Sequence, residues 1–186
     1  MGLVPSQRAG QMCAHSAGAV GAVDAADAML VRLAELLRHA LDRSGRQLVS
    51  LREEMAFLDR YLTLEQMRFG ERLSVSREIA PEVLEAQVPN LILQPLVENA
   101  IKHGVEPLLV PGRIAIRAVE SSPGRLRLEV QDNGKGLDPD RSPGLGVGTS
   151  NTLARLNQLY GSGAQFRLEA VPEGGVQAVV EMPLSR

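Results

Sequence analysis

Four polar side chains with complementary chemistry lie within six residues near the middle of the chain. They are Glu98, Asn99, Lys102 and His103. A carboxylate, a carboxamide and two basic groups could together hold a hydrated Mg²⁺ ion and contact phosphate, because Mg²⁺ takes few protein oxygens and keeps waters and phosphate oxygens as its other ligands. The alternative is a solvated helix edge, since polar residues ordinarily flank the apolar stripe of a helix.

The same segment predicts the helix that positions these groups, beginning near Pro89 and Asn90 and ending at Gly104. Apolar side chains recur at helical spacing and would bury one face: Leu93, Leu96, Val97, Ala100 and Ile101. We expect Pro95, inside this helix, to remove one hydrogen bond and bend the axis. Gly104 is expected to end the helix, because glycine tolerates the left-handed conformation of a C-cap.

A second candidate cluster runs from Asp132 to Gly136 and follows directly after a predicted strand. The carboxylate of Asp132 would lie at a sheet edge, where Gly134 and Gly136 let the backbone approach a planar ligand. A carboxylate in this place can accept a hydrogen bond from an exocyclic amine such as that of adenine. An ordinary Asp-Asn-Gly turn explains the same residues equally well.

The third cluster is a glycine-rich loop that leads into a helix. Its residues are Gly144, Gly146, Gly148, Thr149 and Asn151. Backbone amides at a helix N-terminus form an anion site, although a flexible loop has the same composition. The glycine spacing differs from the dinucleotide-binding fingerprint, and the phosphate-loop pattern ending in Gly-Lys-Ser/Thr is absent.

Two helices are predicted before these clusters. Residues 1–23 are rich in Gly, Ala and Ser and predict a loose arm, whereas apolar residues at three- and four-residue steps predict a helix from Asp24 to Ser44. A capping box formed by Ser50 and Glu53 begins a second helix, which Gly70 ends.

The rest of the chain alternates with a period of two and predicts strands. They cover 73–79, a hairpin with strands around 114–118 and 126–130, then 166–170 and 176–184, with a helix at 150–160. Helices on one face of a mixed, mostly antiparallel sheet make an α+β two-layer sandwich. The predicted domains are an arm (1–23), a helical segment (24–70) and the sandwich (71–186).

Composition narrows the class of protein. The chain has 186 residues, a net charge of −2 and 3% aromatic residues, which argues against nucleic acid as a partner. A single cysteine, Cys13, predicts a reducing cytoplasm, and no apolar run is long enough to span a membrane.

Taken in order, the three clusters resemble the N, G1 and G2 boxes of the GHKL (Bergerat) ATP-binding domain shared by gyrases, Hsp90-type chaperones, histidine kinases and MutL proteins. The stretches 61–69 and 93–104 are also similar to sensor histidine kinases of the LytS group. This resemblance implies ATP as substrate, Mg²⁺ as cofactor, a cognate response regulator as partner and a homodimer. The full-length protein would then be anchored in the bacterial inner membrane.

The resemblance also implies roles for the candidate residues. Asn99 would be the Mg²⁺ ligand, Glu98 the catalytic acidic residue beside the γ-phosphate, and Asp132 the adenine contact. Lys102 and His103 would neighbour the phosphates, and Gly134 and Gly136 would shape the nucleotide pocket. The phosphates would be lined by Gly144, Gly146, Gly148, Thr149 and Asn151. The short segment 136–143 would form the lid.

The sequence departs from the family in two places. Around His15 it keeps the Gln-to-His spacing of the phosphoacceptor motif, but Ala14 replaces proline and the aromatic continuation is absent. His15 is therefore expected to be an arm residue without a role, with a remnant acceptor as the alternative. Many relatives also carry a threonine near the adenine, where this chain has the Gly174–Gly175 turn.

We therefore interpret the sequence as the catalytic part of a sensor histidine kinase. An ATPase or serine kinase on the same fold is one alternative, and the two N-terminal helices favour the histidine kinase over it. A nucleotide-sensing dimerisation module without transfer activity is the other.

Overall fold

A computed structural model describes residues 46–137 and 147–185. The arm 1–23, the helix predicted from Asp24 to Ser44, Gly144, Gly146 and most of the predicted lid lie outside these residues. The described part contains three α-helices and seven strands. None of its helices has the length and apolar character that crossing a bilayer requires.

Helix α1 comprises Leu51–Phe69 and begins at the predicted capping box. The amide of Glu53 donates to Oγ of Ser50 at 3.2 Å, and the Ser50 amide donates to the Glu53 carboxylate at 3.1 Å. Gly70 ends the helix with a φ of 58°. Apolar side chains at helical spacing on this helix are buried in the core and include Leu51, Met55, Leu58 and Leu62. These local predictions are confirmed.

The main sheet has five strands in the order β2-β4-β5-β7-β6. Their bounds are Leu73–Ile79 (β2), Gly112–Ser122 (β4), Arg125–Asp132 (β5), Gln165–Ala170 (β6) and Val176–Pro183 (β7). Strand β2 runs parallel to β4, and every other pair in this sheet is antiparallel. The predicted α+β sandwich with a mixed, mostly antiparallel sheet is thereby confirmed.

A small second sheet was not predicted. Strand β1 (Leu48–Ser50) pairs antiparallel with β3 (Gln87–Pro89), with Val49 opposite Val88. Pro89 therefore ends a strand, and the prediction that it stands at the start of a helix is wrong. This pairing fixes the chain before α1 against the chain that leads to the next helix.

Helix α2 comprises Gln94–Asn99 and continues as a π-helical segment, Ala100–Val105. Pro95 lies in the first turn, where its missing N–H has no partner to lose, so the predicted loss of a hydrogen bond is wrong. Gly104 lies inside the π-helical segment and does not end the helix as predicted. The predicted apolar face is confirmed, because all five of its residues are buried.

Helix α3 comprises Val147–Tyr160, and Gly161 follows it with a φ of 54°. The helices cover one face of the sheet, where alternate residues of β4 and β5 form the core with them. Ile114, Ile116, Leu126 and Leu128 are examples, each no more than 1% exposed.

The opposite sheet face carries a continuous chain of ion pairs that reaches across all five strands. It begins with Glu78–Arg117 at 3.7 Å and Arg117–Glu129 at 4.0 Å, and Glu129 also pairs with Arg127. It continues through Arg127–Glu181 at 3.4 Å, Glu181–Arg167 at 3.4 Å and Arg167–Glu169 at 3.0 Å. We call these seven residues the ion-pair ladder.

Candidate functional site

Asp132 is the last residue of β5, and its side chain is turned into the protein at a relative exposure of 6%. Its Oδ1 accepts hydrogen bonds from the amides of Gly134 at 2.8 Å and Val176 at 3.3 Å. Burial raises the pKa of this carboxyl above its usual value, and the two amide hydrogen bonds oppose that rise. The second carboxylate oxygen can therefore accept from a ligand while the first holds the group in place.

Two glycines make room for this carboxylate. A β-carbon at Gly104 would lie 2.5 Å from Cγ of Asp132, and one at Gly134 would collide with the Cα of Gly104. The π-helical segment of α2 can pack against the end of β5 only because both side chains are missing. Gly136, also predicted in this pocket, has a φ of 83°, which glycine adopts without strain.

The turn between β6 and β7 closes the other side of Asp132. Gly175 has a φ of 97°, and a β-carbon there would collide with the carbonyl oxygen of Asp132. The next residue, Val176, supplies the second amide that holds the carboxylate. The sequence departure at Gly174–Gly175 thus lies against the candidate adenine contact, and Val176 is a site residue that sequence reasoning missed.

Asn99 joins α2 to α3. Its Nδ2 donates to Oγ1 of Thr149, which is 1% exposed in the first turn of α3. The structure thereby brings together two predicted site residues that are fifty positions apart in the chain. Because the carboxamide nitrogen faces the threonine, its oxygen is available as an acceptor or a metal ligand.

The remaining predicted residues of α2 face solvent. Glu98 is exposed and accepts a hydrogen bond from Nε2 of Gln94 at 2.7 Å. Lys102 and His103 are exposed in the π-helical segment and make no hydrogen bond or ion pair with the residues that the structure describes. Burial, the carboxylate of Glu65 and that of Glu98 all raise the pKa of Tyr61 on α1, so this phenol stays protonated beside Glu98.

The third predicted cluster is described only in part. Gly148 lies in the first turn of α3, and the side chain of Asn151, three residues later, is exposed. Gly144 and Gly146 lie outside the described residues. The structure therefore brings Thr149 to the site, and it places Asn151 on the outer surface of the same helix turn.

The loop before α2 is held by two neighbouring helices through residues that sequence reasoning missed. On α1, the carboxylate of Glu54 accepts hydrogen bonds from the amides of Leu91 at 2.9 Å and Leu93 at 3.0 Å. On α3, Nη1 of Arg155 donates to the carbonyl oxygen of Asn90. Glu54 had a signal in the sequence, because an acidic residue interrupts the apolar stripe of α1 between Leu51 and Leu58.

The donor set of the site limits which metal ion it can hold. The described residues contain no cluster of three or more His, Cys, Asp or Glu that could hold one. A single carboxamide oxygen at Asn99 fits Mg²⁺, which keeps several waters and binds proteins together with substrate phosphates. A metal with an all-protein ligand cage does not fit this part of the chain.

Two families match consecutive parts of the sequence. The histidine kinase family matches residues 14–73, and the family described as histidine kinase-, DNA gyrase B- and HSP90-like ATPase matches residues 86–186. The first match includes His15 and α1, and the second includes every other residue assigned to the candidate site.

Several curated proteins are similar to the chain. Sensor histidine kinase YpdA of Escherichia coli is 34% identical over 77% of this chain and 26% of its own length. Sensor histidine kinase YesM of Bacillus subtilis is 33% identical over 83% and 27%. Sensor protein LytS of Staphylococcus haemolyticus is 31% identical over 78% and 27%. The chain spans about a quarter of the length of these relatives.

Solved structures show the same fold. The histidine kinase domain of a blue-light activated histidine kinase from Erythrobacter litoralis matches with a TM-score of 0.58 and 21% identity, over 93% of this chain and 81% of that one. Histidine kinase ThkA, solved in complex with the response regulator protein TrrA, matches with a TM-score of 0.52 and 19% identity over 84% and 48%. The fold predicted from the three boxes and the similarity to sensor histidine kinases are both confirmed.

Proposed function

Because the chain belongs to the histidine kinase-, DNA gyrase B- and HSP90-like ATPase family, we propose that it is the ATP-binding catalytic part of a two-component sensor histidine kinase. Such a protein transfers the γ-phosphate of ATP to a histidine for relay to a response regulator. Membership of the histidine kinase family over residues 14–73 favours this function over an ATPase or a serine kinase on the same fold.

The observation that carries the proposal is the held carboxylate of Asp132. Two backbone amides fix one oxygen, and the side chains missing at Gly104 and Gly134 make room for the carboxylate at the end of β5. In this proposal the free oxygen accepts the hydrogen bond of the adenine amine. A buried acceptor without its donor loses a hydrogen bond, so the pocket discriminates against bases that present no amine here.

Asn99 would hold Mg²⁺ through its carboxamide oxygen, supported by the hydrogen bond from its nitrogen to Thr149. A Mg²⁺ ion held there would supply positive charge that offsets the charge of the phosphates. The bond between Asn99 and Thr149 holds the carboxamide against the first turn of α3. Lys102 and His103, exposed on the following π-helical segment, are free to contact the phosphates.

Glu98 would act on the attacking histidine. It is exposed beside Asn99 and has only a neighbouring glutamine as a described hydrogen-bond partner. An imidazole brought in line with the γ-phosphate could be oriented or deprotonated by this carboxylate, and the proton would pass from imidazole nitrogen to Glu98. The acceptor is proposed to be a histidine on a helix that precedes the helix predicted from Asp24 in the intact kinase, with His15 as the alternative.

The proposal extends to assembly and location. We propose that residues 24–70 form the dimerisation segment, that residues 71–186 form the catalytic domain, and that the full-length kinase is anchored in the bacterial inner membrane. Its phosphoryl group would pass to a cognate response regulator, the kind of protein with which ThkA, a histidine kinase of the same fold, is solved in complex. The chain's own part of the kinase would face the cytoplasm.

One labelling experiment separates the candidate functions. The protein is incubated with γ-³²P-ATP and Mg²⁺, alone and with a separate acceptor-helix fragment, and the label is followed into acid-labile phosphoprotein, acid-stable phosphoprotein and free phosphate. A histidine kinase supplied with an acceptor helix gives acid-labile label, a serine kinase gives acid-stable label, and an ATPase gives phosphate. A nucleotide-sensing module binds ATP and gives none of these.

A further inference from the structure

The buried carboxylate of Glu54 connects two parts of the chain that match different families. Glu54 lies on α1, within the segment 14–73, whereas Leu91 and Leu93 lie in the segment 86–186. The side chain is 0% exposed, and its two oxygens each accept one backbone amide, Oε2 from Leu91 and Oε1 from Leu93. A charge buried this completely is stabilised only where such donors converge on it.

The loop that it holds needs support. Leu91 has a φ of 59° and is the one non-glycine residue with positive φ among those that the structure describes. A leucine in the left-handed conformation is strained, so the loop keeps this conformation only where neighbouring groups fix it. Glu54 accepts from the amide of the strained residue itself.

Glu54 also caps α2. Leu93 is the N-cap residue of this helix, and its own side chain makes no capping hydrogen bond. Its amide is one of the donors that the helix leaves unpaired, and Glu54 accepts it from 39 positions earlier in the chain. A carboxylate at this end of a helix is also favoured by the helix dipole.

We propose that Glu54 is a positioning residue for the Mg²⁺-nucleotide site. By fixing the start of α2 to α1, it determines where Glu98 and Asn99, on the last turn of α2, stand relative to Asp132 on the sheet. The site would then depend on the placement of α1, the helix that belongs to the segment upstream of the ATP-binding domain. This inference rests on the proposed function.

Glu54→Gln tests the proposal with little change of shape. One carboxylate oxygen is replaced by an NH₂ group, which cannot accept a hydrogen bond. Either the amide of Leu91 or that of Leu93 therefore loses its acceptor. The measurement is the dissociation constant for ATP by calorimetry, with Mg²⁺ and with excess EDTA. We expect the enhancement of affinity by Mg²⁺ to fall about tenfold, and the affinity in EDTA, which depends on Asp132, to change by less than about twofold.

Glu53→Gln is the matched control. It makes the same chemical change one residue earlier on α1, at a carboxylate that accepts from the Ser50 amide in the capping box and pairs with Arg46. It should leave the Mg²⁺ enhancement unchanged. An unchanged enhancement in folded Glu54→Gln protein, or an equal loss of affinity in EDTA and in Mg²⁺, would overturn the proposal.

A second variant provides a rescue. Glycine adopts a φ near 59° without strain, so Leu91→Gly in the Glu54→Gln background removes the strain that the carboxylate opposes. It should recover part of the lost Mg²⁺ enhancement. If Glu54 contributed only to the packing of α1, a change at residue 91 would recover none of it.

Hydrogen exchange tests, without nucleotide, whether Glu54 holds the start of α2. In Glu54→Gln, exchange should accelerate at the amides of Leu91 and Leu93 and through α2, but not in β4 and β5. If exchange accelerated evenly over the described strands and helices, Glu54 would not act specifically on α2, and this would contradict the proposal. If the wild-type protein failed to bind Mg²⁺-ATP, the proposed function would fail, whereas this measurement would still decide whether Glu54 holds α2.

Discussion

The carboxylate of Asp132 occupies the space that a side chain at Gly104 would need, with only 2.5 Å between an added β-carbon and Cγ of the aspartate. The N-box helix and the strand-borne aspartate are therefore fitted to each other as well as to a ligand. Glycine at position 104 is explained by this contact and not by the helix end that its position in the sequence suggests.

Gly104→Ala should displace the Asp132 carboxylate and reduce the affinity for ATP at least about tenfold, because the added methyl group and the carboxylate cannot share the space. Gly163→Ala is the matched control, since the nearest atom to its added β-carbon is 3.7 Å away. Calorimetry on both variants checks the prediction. Equal affinities would show that the carboxylate can move without leaving the adenine.

Asp132→Asn should abolish ATP binding, because the group that accepts from the adenine amine is replaced by one that presents a donor on one side. The variant should remain folded, since the remaining oxygen can still accept the Gly134 amide. Calorimetry and circular dichroism measure the two properties. Unchanged affinity would remove Asp132 from the adenine contact.

The raised pKa of Asp132 gives the same substitution a pH-dependent effect on stability. An acid whose pKa is raised by folding favours the native state below its unfolded-state pKa and loses that contribution as pH rises through the folded-state value. At neutral pH the buried charge is therefore a cost. Asp132→Asn should raise the melting temperature near pH 7, by about 2–4 °C for each kcal/mol gained, with a smaller gain near pH 4.

Asn99→Ala should remove the dependence of ATP affinity on Mg²⁺, and Thr149→Val should reduce it, because the threonine hydroxyl orients the carboxamide. In a double-mutant cycle the two substitutions should couple by about 0.5–3 kcal/mol, as expected for residues in direct contact. Titration of ATP at several Mg²⁺ concentrations provides the data. Additive effects would mean that the hydrogen bond between these residues does not position the metal ligand.

The isolated chain should bind ATP without labelling itself, because misplacing an imidazole by about 1 Å can cost on the order of a hundredfold in rate. A separate fragment carrying Pro-His-Phe-Leu-Phe-Asn should restore acid-labile label, and Glu98→Gln should suppress it while leaving ATP binding nearly intact. Strong self-labelling that disappears in His15→Ala would instead identify His15 as the acceptor.

The chain should be a concentration-dependent mixture of monomer and dimer. The predicted helix from Asp24 to Ser44 carries more apolar surface than one neighbouring helix need cover, and helical bundles bury such surface between protomers. Sedimentation velocity over a range of concentrations checks this. A strictly monomeric profile at high concentration would contradict it.

Local signals in the sequence were sufficient for much of the fold. The capping box of Ser50 and Glu53, the glycine that ends α1 and the alternation of β4 and β5 each depend on residues close together in the chain. Strand Leu73–Ile79 and helix α3 were predicted for the same reason. The order of the three boxes then indicated the ATP-binding fold. In this chain the first box lies on a helix, the second follows a strand, and the third leads into another helix, as in that fold.

The errors concern features that depend on tertiary contacts. Strands β1 and β3 have three residues each and alternate too briefly to be recognised alone. The π-helical segment could not be recognised because its apolar residues continue the stripe of the preceding α-helix. The same spacing fits an α-helix equally well. Glu54 could be noticed as an acidic residue on a buried stripe, but its partners lie 37 and 39 positions away.

The ion-pair ladder bears on how other molecules meet this domain. Four carboxylates and three guanidinium groups alternate across the sheet, so their fields largely cancel at a distance. A protein with a strongly charged surface therefore meets little long-range attraction at this face, and one with an apolar surface would have to desolvate paired charges to lie flat on the strands. The outer face of the sheet is therefore unfavourable for docking another protein, and we expect partner proteins to bind at the helical face or at the edge that carries Asp132.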